Sequence, residues 1–171
     1  MPALHEPAPE FALSGVFDSA VKALRLSDLR GGWAVLFFYP ADFSFVCPTE
    51  IRGFEAKRAE LARLGCRLAA ISSDSVESHR AWAEELGGVG FPLLSDPGGE
   101  TARVYGVRNP ADGRAYRATF ILDPEGKIAY SMVSPANVGR SVAETLRVLQ
   151  ALQTGRLCPV DWKPGDPTME S

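Results

Sequence analysis

"FFYPADFSFVCPTE", Phe37 to Glu50, holds the junction on which the reading of the fold turns. The apolar, aromatic-rich run Trp33–Tyr39 lies between Gly32 and Pro40. A continuous run of that length suits a central strand buried on both faces. Cys47 comes seven residues after Pro40, and Pro48 follows it directly. Proline gives up nothing in the first turn of a helix, where its missing N–H has no partner to lose. From Thr49 to Gly65 the pattern takes a helical period, with Ile51, Phe54, Leu61 and Leu64 on one face and Gly65 as the stop signal. The sequence therefore sets a thiol between a sheet strand and a helix N-terminus, where free N–H groups and the helix dipole favour an anion.

Working outward, the alternation of strand and helix continues. Upstream, "EFALSGVFDSAVKALRLSDL" reads as a hairpin with Gly15 and Asp18 near its turn. Downstream, "CRLAAIS" is a second buried strand and "SVESHRAWAEEL" a helix capped by Ser75. "FPLLSDP" is a short strand and "TARVYGV" a short helix. "YRATFILDPEGKIAYSMV" is a hairpin around Asp123–Gly126, and "SVAETLRVLQALQTG" a helix ended by Gly155. The remaining "RLCPVDWKPGDPTMES" is proline-rich and lacks a helical period, so a surface extension or mobile tail is expected. The order predicts an α/β sandwich with a mixed central sheet.

Bulk properties exclude several classes. The 171 residues fit one domain, which buries roughly 70% of its unfolded surface and needs neither disulfide nor metal to fold. A net charge of -3 and the absence of a polybasic run argue against nucleic acid and membrane surfaces. No segment approaches the roughly 20 apolar residues of a membrane span. "MPALHEPAPEFAL" lacks the charged and apolar regions of a secretory signal, and a cytoplasmic location is expected. Cys47, Cys66 and Cys158 are odd in number and widely spaced, a poor disulfide framework. His5 and His79 stand alone, which argues against a metal site.

A free thiol, with a pKa of ~8.5, is only a few per cent ionised at neutral pH. A helix terminus supplies about 0.3–1 kcal/mol, too little to make thiolate the main form. A reactive Cys47 thus calls for a nearby cation or further hydrogen bonds. A disulfide exchanger of the usual kind would carry a second cysteine three residues on, where this chain has Glu50. Acyl transfer would want a histidine base, and neither His5 nor His79 has supporting context. Cys66, beside Leu68 in a predicted strand, reads as an inert core residue. His79 and Trp82 read as packing and capping residues, and Trp162 as an anchor for the tail.

"YPADFSFVCPTE" resembles the active-site segment of peroxiredoxins, Pro-x-x-x-Thr/Ser-x-x-Cys, with Pro40, Ser44 and Cys47 in the matching positions. "LCPVDWKPG" resembles the resolving-cysteine motif of the typical two-cysteine branch, the alkyl hydroperoxide reductase C type. "RATFILD" matches the strand that carries the family's active-site arginine, at Arg117, and "VGRSVAETLR" matches the segment that includes Arg140. The resemblance runs from about Phe11 to Gly165. It implies a thioredoxin-like fold with an N-terminal hairpin extension and helices on both faces of the sheet. It divides the chain into a peroxidase domain, 1–155, and a tail, 156–171, that carries the resolving cysteine.

The resemblance also implies a reaction. Cys47 reduces hydrogen peroxide or an organic hydroperoxide and becomes a sulfenic acid, which Cys158 of a partner subunit converts to a disulfide. A thioredoxin-like or flavoprotein reductant then restores both thiols, with no bound cofactor. Arg117 would supply the missing cation, Ser44 a hydroxyl to peroxide and thiolate, and Pro40 a shield. Glu50 and Arg140 would orient Arg117, with surface salt bridges as the alternative. Assembly into homodimers, five to a ring, is implied as well. Three departures stand out: Ser44 replaces the more frequent threonine, "GGVG" runs straight into a strand, and no C-terminal Tyr-Phe helix follows Gly165. The last leads to an expectation of resistance to overoxidation. A holdase on the same fold and a one-cysteine peroxidase remain as other readings.

Overall fold

A computed structural model describes residues 1–170. The chain packs as two compact units, the first Met1–Arg140 and the second beginning at Ser141. Among the described residues, no helix is long and apolar enough to cross a membrane.

The first unit is built on one seven-stranded mixed sheet. Its strands are β1 (Ala12–Phe17), β2 (Ala20–Arg25), β3 (Trp33–Phe38), β4 (Cys66–Ser72), β5 (Leu93–Ser95), β6 (Arg117–Leu122) and β7 (Ile128–Ser134), in the spatial order β2-β1-β5-β4-β3-β6-β7. Strands β3, β4 and β5 are parallel, and every other pairing is antiparallel. The aromatic run does form the central strand. β3 pairs with β4 on one side and β6 on the other, and Val35 to Tyr39 are wholly buried. Helix α1 (Cys47–Arg63) follows, ending where Gly65 turns left-handed, and packs on β4. Helix α2 (Val76–Glu85) is capped as expected, with Ser75 Oγ accepting from Ser78 N. The short α3 (Glu100–Val104) precedes β6. In the β6–β7 turn, Asp123 Oδ1 accepts from the N–H groups of both Glu125 and Lys127.

Asp18 is in the hairpin turn, and Gly15 lies three residues before it. The turn is Asp18–Ser19, both with positive φ, as a two-residue hairpin requires. Gly15 lies within β1 opposite Leu94, and a Cβ there would come 2.4 Å from Leu93 O. Glycine is required so that β1 can join the central sheet through β5, which makes the hairpin part of the sheet. Gly15→Ala is therefore expected to cost about 1–3 kcal/mol of stability by overpacking. An unchanged denaturation midpoint would show that the β1–β5 pairing yields without cost.

In the second unit, helix α4 (Val142–Thr154) starts at the Ser141 cap and stops at left-handed Gly155. The tail beyond it is folded back on itself. Met169 N donates to Leu157 O at 2.8 Å, and buried Trp162 donates through Nε1 to Asp166 O at 3.0 Å. Arg147 Nη1 of α4 donates to Trp162 O at 3.1 Å, which gives the anchoring role expected for this tryptophan a physical form.

Candidate active site

Cys47 is the first residue of α1, two positions before the pattern change at Thr49, and Pro48 sits in the first turn as read from sequence. No side chain caps this end, and Cys47 and Glu50 are its anion-forming residues. Three residues apart on a helix, the two share a face. The register of the sheet then brings up the cation. Phe38 pairs with Ala118, so Arg117, at the start of β6, lies beside the end of β3 from which the Cys47 loop departs.

There Arg117 Nη1 donates to Cys47 Sγ at 3.2 Å and to Glu50 Oε2 at 2.8 Å, while its Nε donates to Ala136 O at 2.8 Å. Glu50 joins this arginine to a second one. Its Oε1 accepts from Arg140 N at 2.9 Å and Arg140 Nε at 3.0 Å. Arg140 also donates to Phe38 O, Ala118 O and Thr119 Oγ1, which ties it to the ends of β3 and β6. Its guanidinium carbon lies 4.9 Å from the centre of the Phe37 ring, and that ring stacks on Phe54 of α1. Burial holds Arg140 below its ordinary value, against the opposing pull of Glu50.

These four groups are almost wholly out of water. The side chains of Arg117, Glu50 and Arg140 are 4%, 2% and 0% exposed, and Cys47 is fully buried. The surface salt-bridge alternative therefore does not apply. Buried charge must be compensated, and two guanidinium groups against one carboxylate leave one positive charge over. The Cys47 sulfur is the group that faces this excess charge, through Arg117 Nη1. A cation of the kind that the helix-dipole arithmetic called for thus lies against the Cys47 sulfur.

Pro40 and Ser44 lie half-buried in the loop between β3 and α1. The Ser44 hydroxyl donates to Ala41 O at 3.0 Å, so its one proton is committed within the loop. Donation to the Cys47 sulfur requires rotation about χ1, although its lone pairs can still accept. Cys158 belongs to the second unit, half-buried, with Sγ 3.5 Å from Thr154 Oγ1. It borders a groove of about 610 Å³ that Ala151, Leu152 and Val160 also line. Cys66 is buried at the start of β4, and burial pushes its thiol up to about 12, which keeps it protonated and inert.

Sequence reasoning missed a second buried polar group beside the site. His79 packs in the interior, as expected, but its polar partner was not foreseen. It is fully buried and bonded to Asp42, which lies within the Phe37–Glu50 segment itself. Nothing in the local pattern of either residue announces the pair. Trp82, packing as expected, has a buried indole N–H without a hydrogen-bond partner among the described residues.

Comparison with known proteins places this geometry. Residues 4–131 match the AhpC/TSA family, and residues 151–171 match the C-terminal domain of 1-Cys peroxiredoxin. The chain is 46% identical, over 94% of its length and 95% of the relative's, to a putative peroxiredoxin in the rubredoxin operon of Clostridium pasteurianum. It superposes on Enterococcus faecalis AhpC with a TM-score of 0.88 and 38% identity, covering 93% of this chain and all of the other. For the reduced 2-Cys peroxiredoxin of Plasmodium vivax the TM-score is 0.93 at 30% identity, covering 99% and 93%. The fold is thus thioredoxin-like, and with a buried, arginine-bonded thiol at a helix start, the chain belongs to the AhpC/TSA family of peroxiredoxins and is a thiol-dependent peroxidase.

Proposed function

We propose that Cys47 is the thiol that meets peroxide and Cys158 the thiol that resolves the product. The observation that carries this reading is the Arg117 contact to Cys47 Sγ in a pocket one negative charge short of neutral. The thiolate attacks the terminal oxygen of hydrogen peroxide or an alkyl hydroperoxide. An S–O bond forms, the O–O bond breaks, and the leaving oxygen takes up a proton to depart as water or alcohol. Sulfur, oxidised by two electrons, becomes a sulfenic acid. Arg117 neutralises charge as it moves onto the peroxide oxygens, the step where a fixed donor is worth most. Ser44 accepts from the peroxide O–H, and Pro40 offers no N–H to compete for it. Glu50 and Arg140 hold the plane of the Arg117 guanidinium.

Cys158 then attacks the sulfenic sulfur. An S–S bond forms, the S–O bond breaks, and the oxygen leaves as water. An external dithiol, thioredoxin-like or presented by a flavoprotein, restores both thiols by exchange. Every electron comes from a thiol, so the cycle calls for no bound cofactor. The half-buried position of Cys158 beside an open groove supports its reach outward, and the likeness to a 2-Cys peroxiredoxin supports resolution by the Cys158 of a partner subunit. We assign residues 1–155 to the peroxidase domain and 156–171 to the resolving tail. The protein works as a homodimer, five to a ring, in the reducing cytoplasm.

One equivalent of peroxide is expected to convert the protein to a covalent dimer on a non-reducing gel, with Cys47 bonded to Cys158. Cys158→Ser should remove that band and leave a sulfenic acid that dimedone captures. A bond mapped within one chain would reject the interchain model. A wild-type sulfenic acid that persists without any disulfide would establish the one-cysteine cycle, the reading that the match of residues 151–171 brings forward.

A further inference from the structure

Outside the thiol pocket, a cluster of buried polar groups lies where the Cys47 loop leaves β3. Asp42 is 6% exposed, and His79 is not exposed. Asp42 Oδ1 accepts from Tyr39 Oη at 2.7 Å. Its Oδ2 accepts from Ser78 Oγ at 2.8 Å and lies 2.8 Å from His79 Nδ1. His79 Nε2 faces Leu94 O at 3.1 Å, and a carbonyl can only accept, so Nε2 carries a proton. The backbone of Asp42 is tied down as well. Its N–H donates to Asp74 Oδ2 at 2.9 Å, and Ser72 Oγ holds that carboxylate at 2.6 Å. One loop residue is thus bonded to the end of β3, to the turn after β4 and to α2.

The residues that follow are held differently. Phe43 takes a left-handed backbone with φ 52°, a strained choice for a phenylalanine. Phe45 is fully exposed, and the Ser44 hydroxyl bonds within the loop. Strain at Phe43 favours release of the segment, and the bonds of Asp42 oppose it. Release is required by the two-thiol cycle proposed above, on which this inference rests. A sulfur with no exposed surface must leave its pocket before a second sulfur can reach bonding distance.

We propose that Asp42 and His79 form a positioning latch, which keeps the Pro40–Val46 loop closed over Cys47 and sets the balance between two states. In the closed state Cys47 faces Arg117 and meets peroxide. In the open state the first turn of α1 unwinds and the sulfenic acid reaches Cys158. Neither Asp42 nor His79 touches the reacting atoms. They act through the loop that carries Pro40 and Ser44.

The test uses Asp42→Asn, which keeps the shape and removes the charge, and Ser78→Ala, which removes a single donor. Reduced protein is mixed rapidly with one equivalent of peroxide and followed by tryptophan fluorescence. Trp82 stacks on Tyr39 at 5.6 Å and lies 6.4 Å from Phe43, so it reports on this loop. Disulfide formation is read independently by acid quench and gel. Loss of one charge-assisted hydrogen bond is expected to speed disulfide formation about tenfold in Asp42→Asn, and less in Ser78→Ala. Peroxide attack is expected to stay within about twofold of wild type while the closed state still predominates. Faster capture should also lower the yield of Cys47 sulfinate at high peroxide, measured by mass spectrometry. Unchanged disulfide formation, or parallel changes in both steps, would overturn the latch. Should Asp42→Asn fail to fold, Ser78→Ala decides alone. Failure of the two-thiol cycle itself looks different, since wild type would then form no Cys47–Cys158 bond at all.

Discussion

Cys47→Ser is expected to abolish peroxide reduction and leave the fold in place. Serine is close in size to cysteine, and Cys47 sits at the start of α1, where serine is well tolerated. The hydroxyl can accept the Arg117 hydrogen bond that the sulfur accepts now. It cannot ionise at neutral pH, and it offers the peroxide oxygen no polarisable electron pair. The loss should be about 10⁴-fold or more, as for removal of other catalytic nucleophiles. Peroxide consumption measured against a competing scavenger would check the rate, and circular dichroism the fold. Retained turnover in a folded Cys47→Ser protein would move the chemistry to another thiol.

Arg117→Ala is expected to slow peroxide attack by about 10²–10³-fold, the usual cost of a lost transition-state donor. The charge count explains why the effect goes beyond one hydrogen bond. With Arg117 gone, Glu50 and Arg140 neutralise each other, and a protonated Cys47 becomes the form without net charge. Ultraviolet thiolate absorbance at neutral pH should therefore fall together with the rate. Arg117→Lys keeps the charge but loses the planar fork and the bond from Nε to Ala136 O, so its rate should lie between the two. Unchanged thiolate absorbance in Arg117→Ala would assign the stabilisation to the N-terminal backbone of α1.

Legibility in the sequence followed the range of the interactions. β3 could be read because burial on both faces leaves an unbroken apolar run, and the start of α1 because Pro48 marks it locally. Gly15 reads as a residue near the turn because glycine often marks turns. Its actual constraint comes from Leu93 O on β5, a strand far along the chain. The tail looked structureless because its order comes from Trp162 and a single bridge rather than from periodicity. Within the site, the position of Cys47 was legible, but its partners were not. Arg117 and Glu50 meet across 67 residues and Arg140 and Glu50 across 90, distances that only the register of β3 with β6 resolves. Family resemblance pointed to those arginines where local physics could not. Asp42 and His79, 37 residues apart, had neither signal.

The shared charge of the thiol pocket also constrains how the chain can change over generations. Two arginines, a glutamate and a cysteine reach neutrality together, within a space that admits almost no water. Exchange of Glu50 alone would leave two buried arginines without their shared counter-charge, a defect that commonly costs several kcal/mol. A change at Glu50 is therefore tolerated only together with a change at one of the arginines. Phe45, fully exposed beside the pocket in sequence, lies outside that constraint.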